Sequence, residues 1–243
     1  MKQSQFTFKR YEKKYLLTTA QYQTVRKALE RYMQPDEYGQ STVCNVYYDT
    51  PDFALVRASI EQPVYKEKLR VRSYGIPGED DKVFIEIKKK YEGVVYKRRV
   101  HMTEAEASAY LNDGAKAPKD SQIQRELDWF RRSYELEPKI YIAYDRTALA
   151  GRDDPDLRIT FDRGIRFRDF DLDLALGDQG EALLPPDTVL MEIKIPGTAP
   201  IWLSRLLSEL RIFPANFSKY GSCYKRLMAA EKNVNVIGVS NCA

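Results

Sequence analysis

The chain has 243 residues, with 39 Lys and Arg against 35 Asp and Glu. A net charge of +4 is modest, so any polyanion site must come from the placement of cations and not from their sum. Hydrophobic residues make up 43%, with 17 Tyr and 10 Phe, which is ample core for one large β-rich domain or two small ones. No apolar stretch approaches the ~20 residues of a spanning helix. The N-terminal Met1-Lys2-Gln3-Ser4-Gln5 lacks the apolar segment of a signal peptide. Cys44, Cys223 and Cys242 are odd in number and widely spaced, as suits a reducing cytoplasm, so a soluble cytoplasmic protein is expected.

In chain order, Phe6 to Leu17 reads as a strand, and Thr18 or Thr19 caps a helix through about Met33. Val43 to Tyr48 is a strand that ends at the turn signature Asp49-Thr50-Pro51. Val64 to Tyr74, Lys82 to Lys90 and Val94 to Met102 follow as consecutive strands, broken by Gly75-Ile76-Pro77-Gly78 and Glu92-Gly93, which predicts antiparallel hairpins. Thr103-Glu104-Ala105-Glu106 is a capping box that opens the next helix. Another helix spans about Ser121 to Tyr134. Lys139 to Leu149, Leu157 to Phe161, Ile165 to Arg168 and Thr188 to Ile195 read as strands, with Asp169 to Pro186 as a long acidic connection. Pro200 to Leu210 and Ser218 to Ala230 are helical, and the tail 233–243 has no pattern and is expected to be poorly ordered. Many strands with helices between them predict a single α+β domain over 1–232, an antiparallel barrel flanked by helices.

Within these strands Lys and Arg recur at every second position. Lys66, Lys68, Arg70 and Arg72 share one face, because successive strand side chains point to opposite sides. Arg10, Glu12 and Lys14 align in the same way, as do Glu86 with Lys88 and Glu192 with Lys194. Any one such face is ordinarily a solvated surface. Their recurrence points to a sheet built around a polyanion, since inward cations need an anionic partner. Phosphate chains fit: Arg grips phosphate bidentately, Lys acts as a mobile point charge, and the glutamates suit a hard divalent cation.

His101 is the sole histidine, so a His-based zinc site or a Ser-His-Asp triad is set aside, and His101 itself reads as a strand residue. No Gly-rich nucleotide cradle occurs, and the cysteines lack Cys-x-x-Cys spacing and read as buried structural thiols. Stacking of single-stranded nucleic acid on the tyrosines is also set aside, because they flank the basic positions as often as they share their face.

Seven segments carry a family resemblance: Arg10-Tyr11-Glu12-Lys13-Lys14-Tyr15, Tyr48-Asp49-Thr50-Pro51, Leu69-Arg70-Val71-Arg72-Ser73-Tyr74, Phe84-Ile85-Glu86-Ile87-Lys88, Tyr144-Asp145-Arg146-Thr147-Ala148, Met191-Glu192-Ile193-Lys194 and Phe217-Ser218-Lys219-Tyr220. In this order and spacing, from Arg10 to about Arg226, the chain resembles the VTC domain. That domain is the polyphosphate polymerase branch of the triphosphate tunnel metalloenzymes, relatives of the CYTH phosphatases and cyclases. The resemblance implies an eight-stranded antiparallel tunnel whose lumen holds a triphosphate or polyphosphate. It implies phosphate contacts from Lys14, Arg70, Arg72, Lys88, Lys97, Arg146 and Lys219, with Arg10, Lys68, Arg99, Arg158 and Lys194 as further substrate contacts. Glu192 would bind the metal, Mn²⁺ or Mg²⁺, with Glu12 and Glu86 as helpers, and Lys219 would lie on a helix closing one mouth. One departure stands out: the wider family opens with Glu-x-Glu-x-Lys, and Arg10 replaces the first Glu, which favours one metal over two.

The expected activity is transfer of the γ-phosphoryl of ATP to a growing polyphosphate chain. The alternatives are a tunnel triphosphatase and a non-catalytic module binding polyphosphate or inositol phosphate. Expected partners are ATP and polyphosphate, no nucleic acid, a separate membrane protein, and an inositol-phosphate regulator.

Overall fold

The computed structural model describes residues 11–239 except 62, 93 and 119, with side chains through Glu231. Its elements are β1 (Tyr11–Thr18), α1 (Thr19–Leu29), β2 (Met33–Asp49), α2 (Ala54–Ile60), β3 (Tyr65–Tyr74), β4 (Lys82–Tyr91) and β5 (Val94–Thr103), then α3 (Glu104–Asn112), α4 (Gln122–Ser133) and β6 (Glu137–Gly151). The chain continues through β7 (Arg158–Arg168), β8 (Glu181–Ala182), β9 (Thr188–Ile195), α5 (Ile201–Glu209) and α6 (Lys219–Val239). This is an α+β fold with one large antiparallel sheet, ordered β1-β9-β7-β6-β2-β3-β4-β5, with β8 on β7. The order has two ends, so the expected barrel is an approximate description.

The chain forms two compact units, and β2, β6 and β7 each run through both. The unit made of 1–42, 144–165 and 184–216 has its core where α1 and α5 supply Val25, Leu29 and Leu203, and β1, β7 and β9 supply Leu17, Phe161 and Met191. The unit made of 43–143, 166–183 and 217–243 packs Leu69, Ile85, Ile87 and Met102 with Tyr110 of α3 and Leu127 and Phe130 of α4. Both cores use one parity of each strand, which leaves the other parity for charge.

Local chemistry sets the helix starts. Thr18 Oγ1 accepts from the Gln21 amide at 3.2 Å while Gln21 Oε1 accepts from the Thr18 amide at 3.1 Å. Thr103 and Glu106 make the same reciprocal pair at the start of α3.

Several expectations need correction. The helix expected through Met33 stops at Leu29, and β2 begins ten residues earlier than expected, at Met33 rather than Val43. Asp36 Oδ1 accepts from the Tyr38 and Gly39 amides, so the turn-like residues make an Asx turn inside an extended run. The helix α2 was not expected: its first turn is capped from afar by Asp49, which accepts from the amides of Leu55 at 2.8 Å and Val56 at 3.0 Å. The two strands expected over 157–168 are one, β7, with Gly164 at φ +54° absorbing the break that the sequence suggested. The last helix runs past Ala230 to Val239, into the expected tail. The Phe6–Arg10 part of the first strand and Cys242 lie outside the described residues.

The acidic connection after β7 is held by Arg168, which is only 2% exposed. Its guanidinium donates to the carbonyls of Asp171, Asp173, Gly177 and Gln179 at 2.8–3.1 Å and lies 3.6 Å from the Tyr141 ring centroid. Arg168→Met leaves those four acceptors without their donor and is expected to cost about 3 kcal/mol or more in urea unfolding. A loss below about 1 kcal/mol would show that the connection does not depend on it.

Candidate anion-binding site

In the unit containing β3, β4 and β5, antiparallel register stacks charge into cross-strand rows. Lys68, Lys88 and Lys97 are direct neighbours across the three strands, and so are Arg70, Glu86 and Arg99. Lys66 stands opposite Lys90, and Arg72 opposite Phe84. Like charges directly opposite one another are destabilising, and here three lysines occupy one row. Burial, with Lys90 and Lys88 beside it, pushes the Lys66 ammonium below its usual pKa.

Glu86 is the carboxylate of this face, 2% exposed. Its Oε2 accepts from Arg70 Nε at 2.9 Å and Nη2 at 2.7 Å, and its Oε1 from Arg99 Nε at 2.6 Å and Lys97 Nζ at 2.8 Å. Burial alone would raise its pKa, but Arg70, Arg72 and Lys97 outweigh burial and hold the carboxyl well below the usual range. One carboxylate therefore orients three cations while leaving the face with a surplus of positive charge. β2 steadies two arginines: Arg70 Nη1 donates to Tyr47 Oη at 3.0 Å, and Arg72 Nε donates to Asn45 Oδ1 at 2.9 Å.

Burial pushes the Lys97 pKa down to about 8, against the upward pull of Glu86. Lys97 is thus cationic at pH 7 and loses its proton as pH rises through about 8. A polyanion stabilises the charged form, so its binding takes up a proton above that pH. Polyphosphate affinity is expected to fall about fivefold between pH 7 and pH 9 in titration calorimetry. Lys97→Met should flatten that step; an unchanged step would assign it to another group.

Lys219 is the first residue of α6, whose first turn is anchored within this unit. Tyr220 Oη donates to Asp49 Oδ2 at 2.8 Å, and the Tyr220 ring stacks on Tyr47 with centroids 4.5 Å apart. Lys68 Nζ lies 3.4 Å from Ser218 Oγ and 5.8 Å from the Tyr220 centroid. The same carboxylate that caps α2 therefore fixes the start of α6 beside Lys68.

In the other unit, Lys14 and Glu192 are cross-strand neighbours, with Thr160 opposite Glu192 on β7. The next row holds Glu12, Lys194 and Arg158. Lys14 Nζ lies 3.8 Å from Glu12 and 3.9 Å from Glu192. Arg146 Nε and Nη2 form a fork on Asp162 at 2.7 and 2.8 Å, and Nη2 lies 3.8 Å from Glu192 Oε2. Burial opposes the Arg146 charge, but Tyr144, Asp162 and Glu192 hold its pKa well above the usual value. Arg158 Nε and Thr160 Oγ1 are buried with no hydrogen-bond partner, two polar atoms awaiting a ligand or water.

The structure thus brings together Lys68, Arg70, Arg72, Glu86, Lys88, Lys97 and Arg99 in one unit, and Glu12, Lys14, Arg146, Arg158, Glu192 and Lys194 in the other. Arg10 lies outside the described residues. Sequence reading missed Asp162, Asn45 and Tyr47. The last two share the parity that faces Arg72 and Arg70, a period-two signal in Val43 to Asp49 that polar alternation could have revealed. Cys44 and Cys223 are buried, and burial raises both thiol pKa values. His101 sits on β5 opposite Phe84.

For a divalent cation, the described residues assemble no group of three His, Cys, Asp or Glu ligands. Glu86 has both oxygens committed to cations. Glu12 and Glu192, which share Lys14 at ion-pair distances, offer two hard carboxylates. That donor set fits an ion of the Mg²⁺ type, which takes one or two carboxylates and completes its shell with water and phosphate oxygens.

Fold and site together define an α+β protein whose antiparallel strands gather cations around a few buried carboxylates, an arrangement suited to phosphate chains. The profile of the VTC domain matches residues 9–228, and the chain belongs to that family. Among solved structures, a proposed adenylate cyclase from Bacillus halodurans is 15% identical, covering 85% of this chain and 92% of that one, with a TM-score of 0.53, which supports a shared fold. A proposed adenylyl cyclase from Hippeastrum with a dominant triphosphatase activity is 16% identical, covering 86% and 92%, with a TM-score of 0.49. A comparison with curated protein sequences gave no match.

Proposed function

We propose that the chain acts over 1–232 as one tunnel-type domain, a metal-dependent phosphotransferase that moves the γ-phosphoryl of ATP onto the end of a polyphosphate chain. The observation that carries this reading is the row Lys68-Lys88-Lys97 beside Arg70-Glu86-Arg99, a surplus of cations that a chain of phosphates would neutralise. The orphaned Arg158 Nε and Thr160 Oγ1 add donors in the other unit.

In this reading Arg70, Arg72 and Arg146 neutralise the equatorial oxygens of the polymer, and Lys14, Lys88 and Lys219 hold the donor triphosphate. Lys68, Lys97, Arg99, Arg158 and Lys194 extend the cradle. A terminal phosphate oxygen of the chain forms the new bond to Pγ as the bond from Pγ to the β,γ-bridging oxygen breaks, and ADP leaves. Such transfer needs positioning and charge neutralisation more than a covalent catalyst. Glu192 with Glu12 would hold Mn²⁺ or Mg²⁺, which offsets charge gathering on the phosphate oxygens.

Incubation with ATP and Mn²⁺, with products resolved on gels and by phosphorus NMR, tests the proposal. Long chains with matching ADP are expected. Inorganic phosphate without chain growth would reassign the protein as a triphosphatase, and tight polyphosphate binding without turnover as a phosphate-sensing module.

A further inference from the structure

A column of buried side chains ties the first turn of α6 to the charged face of β3. Asp49, fully buried at the end of β2, accepts from the amides of Thr50, Leu55 and Val56 at 2.8–3.0 Å, which seats it on α2. Its Oδ2 also accepts from Tyr220 Oη at 2.8 Å. Burial, with Asp49 beside it, holds the Tyr220 phenol above its ordinary pKa, so it remains a donor through the neutral range. The Tyr220 ring stacks on Tyr47, with centroids 4.5 Å apart and planes 10° from parallel. Tyr47 stands opposite Arg70 in the β2–β3 register, and its Oη accepts from Arg70 Nη1 at 3.0 Å.

A guanidinium is a planar fork, and it grips a phosphate through two N–H groups only when its edge points at the oxygens. Glu86 holds one edge of Arg70, accepting from Nε and Nη2. Tyr47 holds the third nitrogen. The Arg70 side chain is 23% exposed and open to a ligand, whereas Tyr220 is 2% exposed and reaches the charged face only through its neighbours. A side chain locked by a second layer of packing and hydrogen bonds is preorganised for what it binds.

We infer, on the reading of this face as a phosphate site, that Tyr220 is a positioning residue: seated on Asp49, it holds Tyr47, which sets the aim of Arg70. The seating of α6 thereby governs how this arginine meets an anion.

Titration calorimetry of the full chain with inorganic tripolyphosphate tests it, with urea unfolding to show that each variant folds. Tyr220→Leu removes the stack and is expected to weaken binding about tenfold, while Tyr220→Phe keeps the ring and stays within about threefold of wild type. Tyr47→Phe keeps the stack but takes the acceptor from Arg70, and should also cost about tenfold. In an Arg70→Met background neither Tyr220→Leu nor Tyr47→Phe should lower affinity further, because residues that act along one path are not additive. A further loss from Tyr220→Leu in that background would overturn the inference by routing the effect through Lys68, whose Nζ lies 5.8 Å from the Tyr220 centroid. So would wild-type affinity in Tyr220→Leu. If the leucine variant does not fold, the Arg70 Nε–H resonance, assigned through Arg70→Lys, carries the test: it should shift in Tyr220→Phe, and an unmoved resonance would overturn the inference. Absence of binding by the wild type would overturn the phosphate reading of this face, and the inference with it.

Discussion

Glu192→Gln is expected to lower phosphoryl transfer about a hundred- to a thousandfold while shifting the unfolding midpoint by less than about 2 °C. Gln preserves the shape of a side chain that is 7% exposed and keeps an oxygen toward one of the two cations, Lys14 or Arg146, with its NH2 toward the other. The two cations also retain other carboxylates, Glu12 for Lys14 and Asp162 for Arg146, so little packing or pairing is lost. What disappears is the negative charge opposite Thr160, and with it a hard ligand for a divalent ion. Turnover within threefold of wild type would remove Glu192 from the chemistry, because a charge that matters only in the transition state cannot be lost so cheaply.

The Arg146–Asp162 fork should show the opposite balance. Asp162 is fully buried and accepts from two of the guanidinium nitrogens, Nε and Nη2. Asp162→Ala removes the forked partner of a buried cation, leaving Glu192 3.8 Å away, and is expected to cost about 3 kcal/mol, the low end of the usual penalty for breaking a buried pair from one side. Arg146→Met combined with Asp162→Leu removes both charges and should recover much of that stability, since buried ion pairs are often replaceable by apolar groups. Activity should not return in the double variant, because Arg146 also faces Glu192. Urea unfolding beside ATP turnover separates the two roles. Recovery of turnover together with stability would make Arg146 a structural residue only.

The basic faces were legible because a strand has period two and charge at alternate positions survives in sequence. Lys66 to Arg72 and Glu86 to Lys90 read correctly for that reason, and register then turned separate faces into rows. Asp162 was not legible. It follows Arg158 and Thr160 at alternate positions of an ordinary strand pattern, and its meaning comes from Arg146 on another strand. The family resemblance implies Glu86 as a metal helper; the fold surrounds it with Arg70, Lys97 and Arg99 from neighbouring strands. The early start of β2 was hidden by Pro35, Asp36 and Gly39, residues that normally stop a strand and here make a turn inside one. The helix α2 was hidden because its cap, Asp49, lies outside the usual capping spacing. Period and capping signals are local, whereas a partner on a distant strand leaves no local trace.

The most direct test of the central claim uses γ-labelled ATP, a short polyphosphate primer and two proteins: the wild type and a Lys68→Met, Lys88→Met, Lys97→Met variant. Label is expected to enter chains longer than the primer with the wild type, and the variant, lacking the lysine row, should transfer little or none. Label released only as inorganic phosphate, or chain growth of equal extent in both proteins, would contradict it.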